Sequence, residues 1–313
     1  MAATAPSDVS TDLIIVGGGP AGCAAALMAA SVGTRSLVVE ADALCAKLRH
    51  IRVVGNVVGG HSSGPELAAA IAGDLERSGR CEALLGVRAT RIDAFEEYTA
   101  VTLDTGRRLL APYAVVATGA GPLPVADAPW LTVADGAAVP TLWGAEADGD
   151  RPGPLLVLGA DRPLGTFLRA HPALESAVLV AYPPGDDHKA DEVRDDRRVE
   201  LLPVTSLLVR AGGDGRFTVE WTDRGGRRGA RTAGSAYLNL GSAPAPPAGA
   251  LVTDGAGYCP PSLQHPRVLT AGDLRSPRFQ RIMAATGSGA EAALRAYYAR
   301  QDVPTAGGSG SDR

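Results

Sequence analysis

Gly17, Gly19 and Gly22 stand in the order G-x-G-x-x-G between an apolar run, LIIV at 13–16, and an Ala-rich stretch at 20–32. Those glycines at that spacing hold a dinucleotide. Gly17 makes a tight turn, Gly19 lets the backbone approach a pyrophosphate, and Gly22 lets helix and strand pack closely. The helix that begins at Pro20 and Ala21 presents free N–H groups to the anion. A second apolar run, SLVVE, ends at Glu40, about 20 residues beyond the loop, where a carboxylate accepts hydrogen bonds from ribose hydroxyls and disfavours a 2′-phosphate.

A second loop, Gly159-Ala160-Asp161-Arg162-Pro163-Leu164-Gly165, follows the apolar run 154–159 and precedes a helix expected at 163–170 and a strand at 177–182. Asp161 stands where the second glycine belongs. Its side chain is wrong in bulk and in charge sign for a pyrophosphate.

Other reactive groups are scattered. The stretch LCAKLRHIRVVGN at 44–56 carries Cys45, readable as a thiolate participant or as packing, and His50, a general-base candidate because its reference pKa lies near neutrality. Cys23 falls at a small-residue position of the first helix and reads as core. Cys23, Cys45, Cys81 and Cys259 form no Cys-x-x-Cys pair, so spacing gives neither a zinc site nor a local disulfide. His61 precedes Ser62 and Ser63, one of which caps a helix expected at 65–78. His171 and His265 each precede proline and read as turn residues, and His188 lies in an acidic loop. No Ser-His-Asp triad or metal-ligand spacing supports hydrolysis or metal chemistry.

The elements that must position these groups are parallel strands alternating with helices, an α/β chain. Its 313 residues, 45% hydrophobic, suffice for two cores. A net charge of −4 without a basic stripe argues against nucleic acid. The first residues lack the pattern of a secretory signal, and no apolar run reaches the ~18 residues that span a bilayer. A cytoplasmic protein with no membrane partner is expected, with mobile tails before Ser10 and after Thr305.

Further segments carry a family likeness. APYAVVATGAGPLP (111–124) ends a strand at Ala117-Thr118-Gly119, and RVLTAGDLRS (267–276) ends one at Ala271-Gly272-Asp273. GNVVGGHSSGPELAAAIAGDLERSG (55–79), AYLNLGSAPAPP (236–247) and AGDLRSPRFQRIMAATGSGAEAAL (271–294) complete the set. Between about residues 12 and 300 the chain resembles the low-molecular-weight thioredoxin reductases and related two-dinucleotide-binding-domain flavoproteins. The resemblance implies two Rossmann-like three-layer domains. An FAD domain at 1–121 and 243–313 is interrupted by a smaller, degenerate nicotinamide-type domain at 122–242. It implies extended FAD with its pyrophosphate at Gly17–Gly22 and its ribose at Glu40. Further contacts are implied at Lys47, Leu48, Asn56, Val87, Ala117, Thr118, Gly119, Gly272, Asp273, Arg281, Ile282 and Met283. A homodimer is also implied. Asp273, at a parallel strand end, suits a ribityl hydroxyl.

The chain departs from that family in two places. The basic cluster for the NADPH 2′-phosphate is replaced by YPPGDDHK (182–189), and the redox Cys-x-x-Cys by AAVPTLWG, with Pro140 and Trp143 near the cysteine positions. A dithiol relay at that place is thereby excluded. What remains is an FAD-dependent oxidoreductase read as an oxidase, in which a small-molecule substrate reduces the flavin and dioxygen reoxidises it. Arg281 stands where the family has Gln beside the flavin N1–C2 carbonyl, and a positive charge there favours the reduced form. The alternatives are an NAD(P)H-linked reductase of a protein electron carrier or quinone, and a non-catalytic FAD sensor.

Overall fold

Leu13–Val16 is buried along its whole length and is the middle strand of a five-stranded parallel sheet. The computed structural model describes residues 11–146 and 153–301. The mobility expected of the two tails falls outside the described residues. The sheet runs Val268–Thr270, Tyr113–Val116, Leu13–Val16, Ser36–Glu40, Cys81–Leu85. Strands covered on both faces are continuously apolar, as LIIV and YAVV are.

The two-residue period of the strand divides its side chains between two layers. Ile14 and Val16 pack with Ile92, Val101, Leu103 and Leu109 of an antiparallel layer built from Ala89–Ala94, Thr99–Leu103 and Arg108–Ala111. Ile15 turns the other way, its Cγ2 lying 3.3 Å from where a β-carbon on Gly22 would stand in the helix Pro20–Ser31. The closing helix Ile282–Arg300 crosses that helix so tightly that a β-carbon at Gly289 would fall on the Ala21 carbonyl oxygen.

The helix Gly64–Ser78 starts at a reciprocal cap. Ser63 Oγ accepts from the Glu66 N–H at 3.3 Å, and the Ser62 N–H and hydroxyl donate to the Glu66 carboxylate at 2.9 and 3.1 Å. His61 Nδ1 lies 3.7 Å from the same carboxylate.

The chain divides into two compact units, the second made of His50–Val53 and Gly121–Ala243. The larger breaks fall at 120/121 and 243/244. His50–Val53 joins the second unit because Arg52 pairs with Glu146 and the His50 ring packs on Gly144. The layering of the first unit is repeated here. A parallel sheet runs Val199–Pro203, Val178–Tyr182, Leu155–Leu158, Ser235–Leu238. Leu156, Leu158, Leu179 and Ala181 face an antiparallel layer through Leu207, Val209, Phe217 and Val219. Leu155, Val157, Val178 and Val180 face the helix Pro163–Ala170 through Leu164, Phe167 and Leu168. Each unit is therefore Rossmann-like and three-layered. Among the described residues no helix is long and apolar enough to cross a membrane.

Candidate functional site

In the first unit the chain leaves Leu13–Val16 toward Ser36–Glu40 on one side, while Tyr113–Val116 flanks it on the other. Such a switch point opens a crevice at the carboxyl ends of the strands. Gly17 turns the chain there at φ +102°, where an L side chain is strained, and a β-carbon on it would stand 2.5 Å from the Ala117 carbonyl oxygen. Gly19, the N-cap of the helix, differs in kind. Its backbone is ordinary extended chain, and a β-carbon on it would meet nothing within 4 Å. The loop is thus packed at Gly17 and Gly22 and open at Gly19. The helix carries no acidic residue in its first turn to compete with an anion.

Charged and polar groups converge on that opening. The Gly18 N–H donates to Glu40 Oε2 at 2.5 Å, and Asp42 N–H donates to the other oxygen at 2.9 Å, so the carboxylate is aimed by the backbone. Lys47 stands at the rim and turns its ammonium in to the Ala120 carbonyl. Burial of that ammonium pulls its pKa down, opposed by Asp273 and Glu40, which face it. Thr118 Oγ1 is buried with no hydrogen-bond partner among the described residues. Gly272 N–H is held by Ser288 Oγ at 2.8 Å, and a β-carbon on Gly272 would stand 2.9 Å from Ala21 Cβ. An open glycine at a helix N-terminus, an aimed ribose-type carboxylate, an adjacent lysine and an orphaned hydroxyl fit a dinucleotide.

The structure therefore gathers Gly17, Gly19, Pro20, Ala21, Gly22, Glu40, Lys47, Ala117, Thr118, Gly119, Gly272 and Asp273 around one crevice. Leu48 is 3% exposed and packs inward. Val87 lies behind the acid, its N–H donating to the Glu40 carbonyl at 3.2 Å. Asn56 is exposed. Arg281 is the exposed N-cap of the closing helix, with Nη1 donating to the Gln280 carbonyl at 3.0 Å, and Ile282 and Met283 begin that helix. His50 is exposed and belongs to the second unit, whereas Cys45 is buried in the first, so these two candidates are not assembled within one unit.

The equivalent loop of the second unit is closed upon itself. Gly159 turns at φ +105°, and Asn239, 5% exposed, donates its side-chain amide to the carbonyls of Gly159 at 3.1 Å and Asp161 at 2.8 Å. The N–H groups of Leu164 and Gly165 are taken by the carbonyls of Asp161 and Arg162, both at 3.1 Å, and Pro163 has none. Leu164 fills the close-packing position with a side chain 1% exposed. A β-carbon on Gly165 would stand 2.5 Å from the Glu192 carboxylate, which pairs with Arg169. At the end of the next strand Tyr182 O–H donates to Asp187 at 2.7 Å, and Asp187 and Asp191 neutralise Arg194. Asp161 was the sequence signal; Asn239 and Leu164 complete the closure.

One juxtaposition escaped sequence reasoning altogether. Cys23 and Cys45, 22 positions apart, bring their sulfurs within 3.8 Å. The helix Pro20–Ser31 and the turn after Glu40 converge on Gly18, which no linear spacing reveals.

Residues 11–160 match the family model for pyridine nucleotide-disulphide oxidoreductases. Over 111 residues, 35% of the chain, it is 33% identical to one component of the alkyl hydroperoxide reductase of Staphylococcus aureus, and it spans 22% of the length of that relative. In fold it is similar to thioredoxin reductases from T. acidophilum (TM-score 0.74, 20% identity, 94% of this chain and 100% of that one) and Lactococcus lactis (0.73, 21%, 92% and 98%). It is also similar to bacillithiol disulfide reductase from Bacillus cereus (0.68, 16%, 92% and 99%). In fold alone the chain is thus similar to thioredoxin reductases over nearly its whole length, and its sequence contains no Cys-x-x-Cys pair.

Proposed function

We propose that the protein is an FAD-dependent oxidoreductase that works as an oxidase on a small molecule, without a nicotinamide and without a disulfide relay. FAD, when bound, supplies a two-electron acceptor that a substrate reduces and dioxygen reoxidises. The residues that hold it are the Gly17–Gly22 loop for the pyrophosphate, Glu40 for the ribose, and Lys47, Thr118 and Asp273 around the crevice. The observation that carries the reading is the contrast between the two loops. The first is open at Gly19, while the second has its N–H groups and its amide-facing carbonyls already engaged by Asn239, Asp161 and Arg162. A pyrophosphate there must displace those bonds and sit beside two carboxylates, Asp161 and Glu192.

Photoreduced holoprotein mixed with air is expected to regain its oxidised absorbance within seconds and to release about one hydrogen peroxide per flavin. Reoxidation over many minutes contradicts the oxidase reading.

Arg281 supports electron acceptance from the head of a 19-residue helix. Its guanidinium adds to the positive end of the helix dipole, and no acidic residue in the first turn offsets it. Arg281→Gln is expected to lower the flavin midpoint potential. A charge-assisted contact of ~1–2 kcal/mol corresponds, at about 30 mV per 1.4 kcal/mol for two electrons, to a shift of roughly 20–45 mV. Sulfite affinity should fall in the same variant. Unchanged potential and sulfite affinity together mean that Arg281 points elsewhere.

A further inference from the structure

Gly18 sits inside the dinucleotide loop, and its carbonyl is held from below by two cysteines. The Cys45 N–H donates to it at 2.8 Å and the Cys23 thiol donates to it at 3.2 Å. The two sulfurs are 3.8 Å apart, and the side chains are 0% and 1% exposed. Cys45 holds φ +54°, a left-handed conformation that glycine adopts at less cost, and it is one of two non-glycine residues with positive φ among those described. Strain of this kind concentrates where a side chain is needed for function.

We infer that Cys23 and Cys45 form a reversible dithiol–disulfide couple, oxidised by a hydroperoxide, that sets how firmly the loop at Gly18 holds its dinucleotide. Cys45 is the attacking thiol. The neighbouring Cys23 thiol and the Arg49 guanidinium hold its pKa below the ordinary cysteine value against the opposing effect of burial, while contact with Cys45 and burial push Cys23 up. Cys45 sulfur attacks the terminal peroxide oxygen, the O–O bond breaks, and the alcohol or water leaves with a proton, giving a sulfenic acid. Cys23 sulfur then attacks the Cys45 sulfur; the S–S bond forms, the S–O bond breaks, and the oxygen leaves as water with the Cys23 proton. Two thiols are oxidised by two electrons, and one peroxide is reduced. The bond removes the Cys23 S–H donor from the Gly18 carbonyl and ties the turn after Glu40 to the helix that binds the pyrophosphate. Burial makes the reaction depend on opening of the stretch 41–63, which holds only a short 3₁₀ turn, Ala46–His50, by way of regular structure.

Neither the substrate nor the electron donor enters this couple, so it can be tested without them. Folded holoprotein is treated with hydrogen peroxide, denatured, alkylated and digested with trypsin. Free thiols are expected to fall from four to two, with residues 1–35 linked to residues 36–47, and dithiothreitol should reverse both changes. The linkage should persist in the Cys81→Ser/Cys259→Ser double variant and vanish in Cys23→Ser. Apoprotein carrying the linkage should bind FAD ~3–10-fold more weakly than the reduced form, the effect of one lost hydrogen bond. Absence of the 23–45 linkage in folded wild type, or its formation only after denaturation, overturns the couple. Equal FAD affinity of the two forms overturns its link to the loop.

Discussion

Gly19→Val is expected to give folded protein that has lost its FAD. Gly19 has φ −73° and ψ −177°, a conformation open to any residue, and a β-carbon there meets nothing within 4 Å. The protein itself therefore tolerates the side chain. The valine methyl groups instead occupy the approach to the helix N-terminus, where a pyrophosphate must come within hydrogen-bond distance of backbone N–H groups. A loss of at least ~100-fold in affinity, about 2.7 kcal/mol, should leave the purified variant colourless, with the circular dichroism and melting temperature of wild-type apoprotein. A yellow variant with stoichiometric FAD would place the cofactor elsewhere.

Gly22→Ala, three residues along the same loop, should have the opposite signature and damage the fold. Its β-carbon would fall on the Gly17 carbonyl oxygen, and Ile15 stands 3.3 Å away on the other side. The obstacle is backbone held by the sheet, so no flexible side chain can move aside. Overpacking of this kind costs about 3 kcal/mol or more. For a domain of this size that is roughly a 6–12 °C fall in melting temperature, or insoluble protein. A variant melting within about 2 °C of wild type would show that helix Pro20–Ser31 can lift from the strand without penalty. The pair of substitutions separates two jobs that one motif performs: Gly22 brings the helix to the sheet, and Gly19 keeps the space in front of it clear.

Much of the first site was legible because its chemistry is local. The strand at 13–16, the three glycines, the helix from Pro20 and the acid at Glu40 lie within 28 consecutive residues, and each residue type has one physical reason to be there. The strands that end just before Ala117 and Ala271 were legible on the same terms, as was a cap at Ser62 or Ser63, which the structure places at Ser63, whereas the closing helix was read only through the family likeness. The antiparallel layers were not legible. ATRIDA and TAVTL lack a clean two-residue alternation, the first because the register shifts between Ala89 and Arg91, and although the turns DTG at 104–106 and GGDG at 212–215 mark hairpins, these segments hold no reactive groups and gain meaning only from the parallel sheets they cover. Two features of greater consequence depend on long-range pairing. Asn239 closes the second loop from 78 positions away, and Cys45 meets Cys23 across 22. Asp161 announced the altered loop, yet the carboxylate is only part of the obstacle. Asp161→Gly alone leaves the Asn239 amide on the Gly159 carbonyl, Pro163 without a donor and Leu164 in the packing position.

On the proposed reading, one cradle holds a dinucleotide and its counterpart does not. The decisive measurement is an anaerobic titration of FAD-loaded protein with NADPH and with NADH, following the visible absorbance of the flavin. No saturable bleaching by either nicotinamide is expected up to millimolar concentration, while photoreduction bleaches the same sample fully. Rapid, saturable reduction at micromolar NADPH would contradict the reading, showing that the loop from Gly159 to Gly165 opens to a pyrophosphate and that the protein is a nicotinamide-driven reductase.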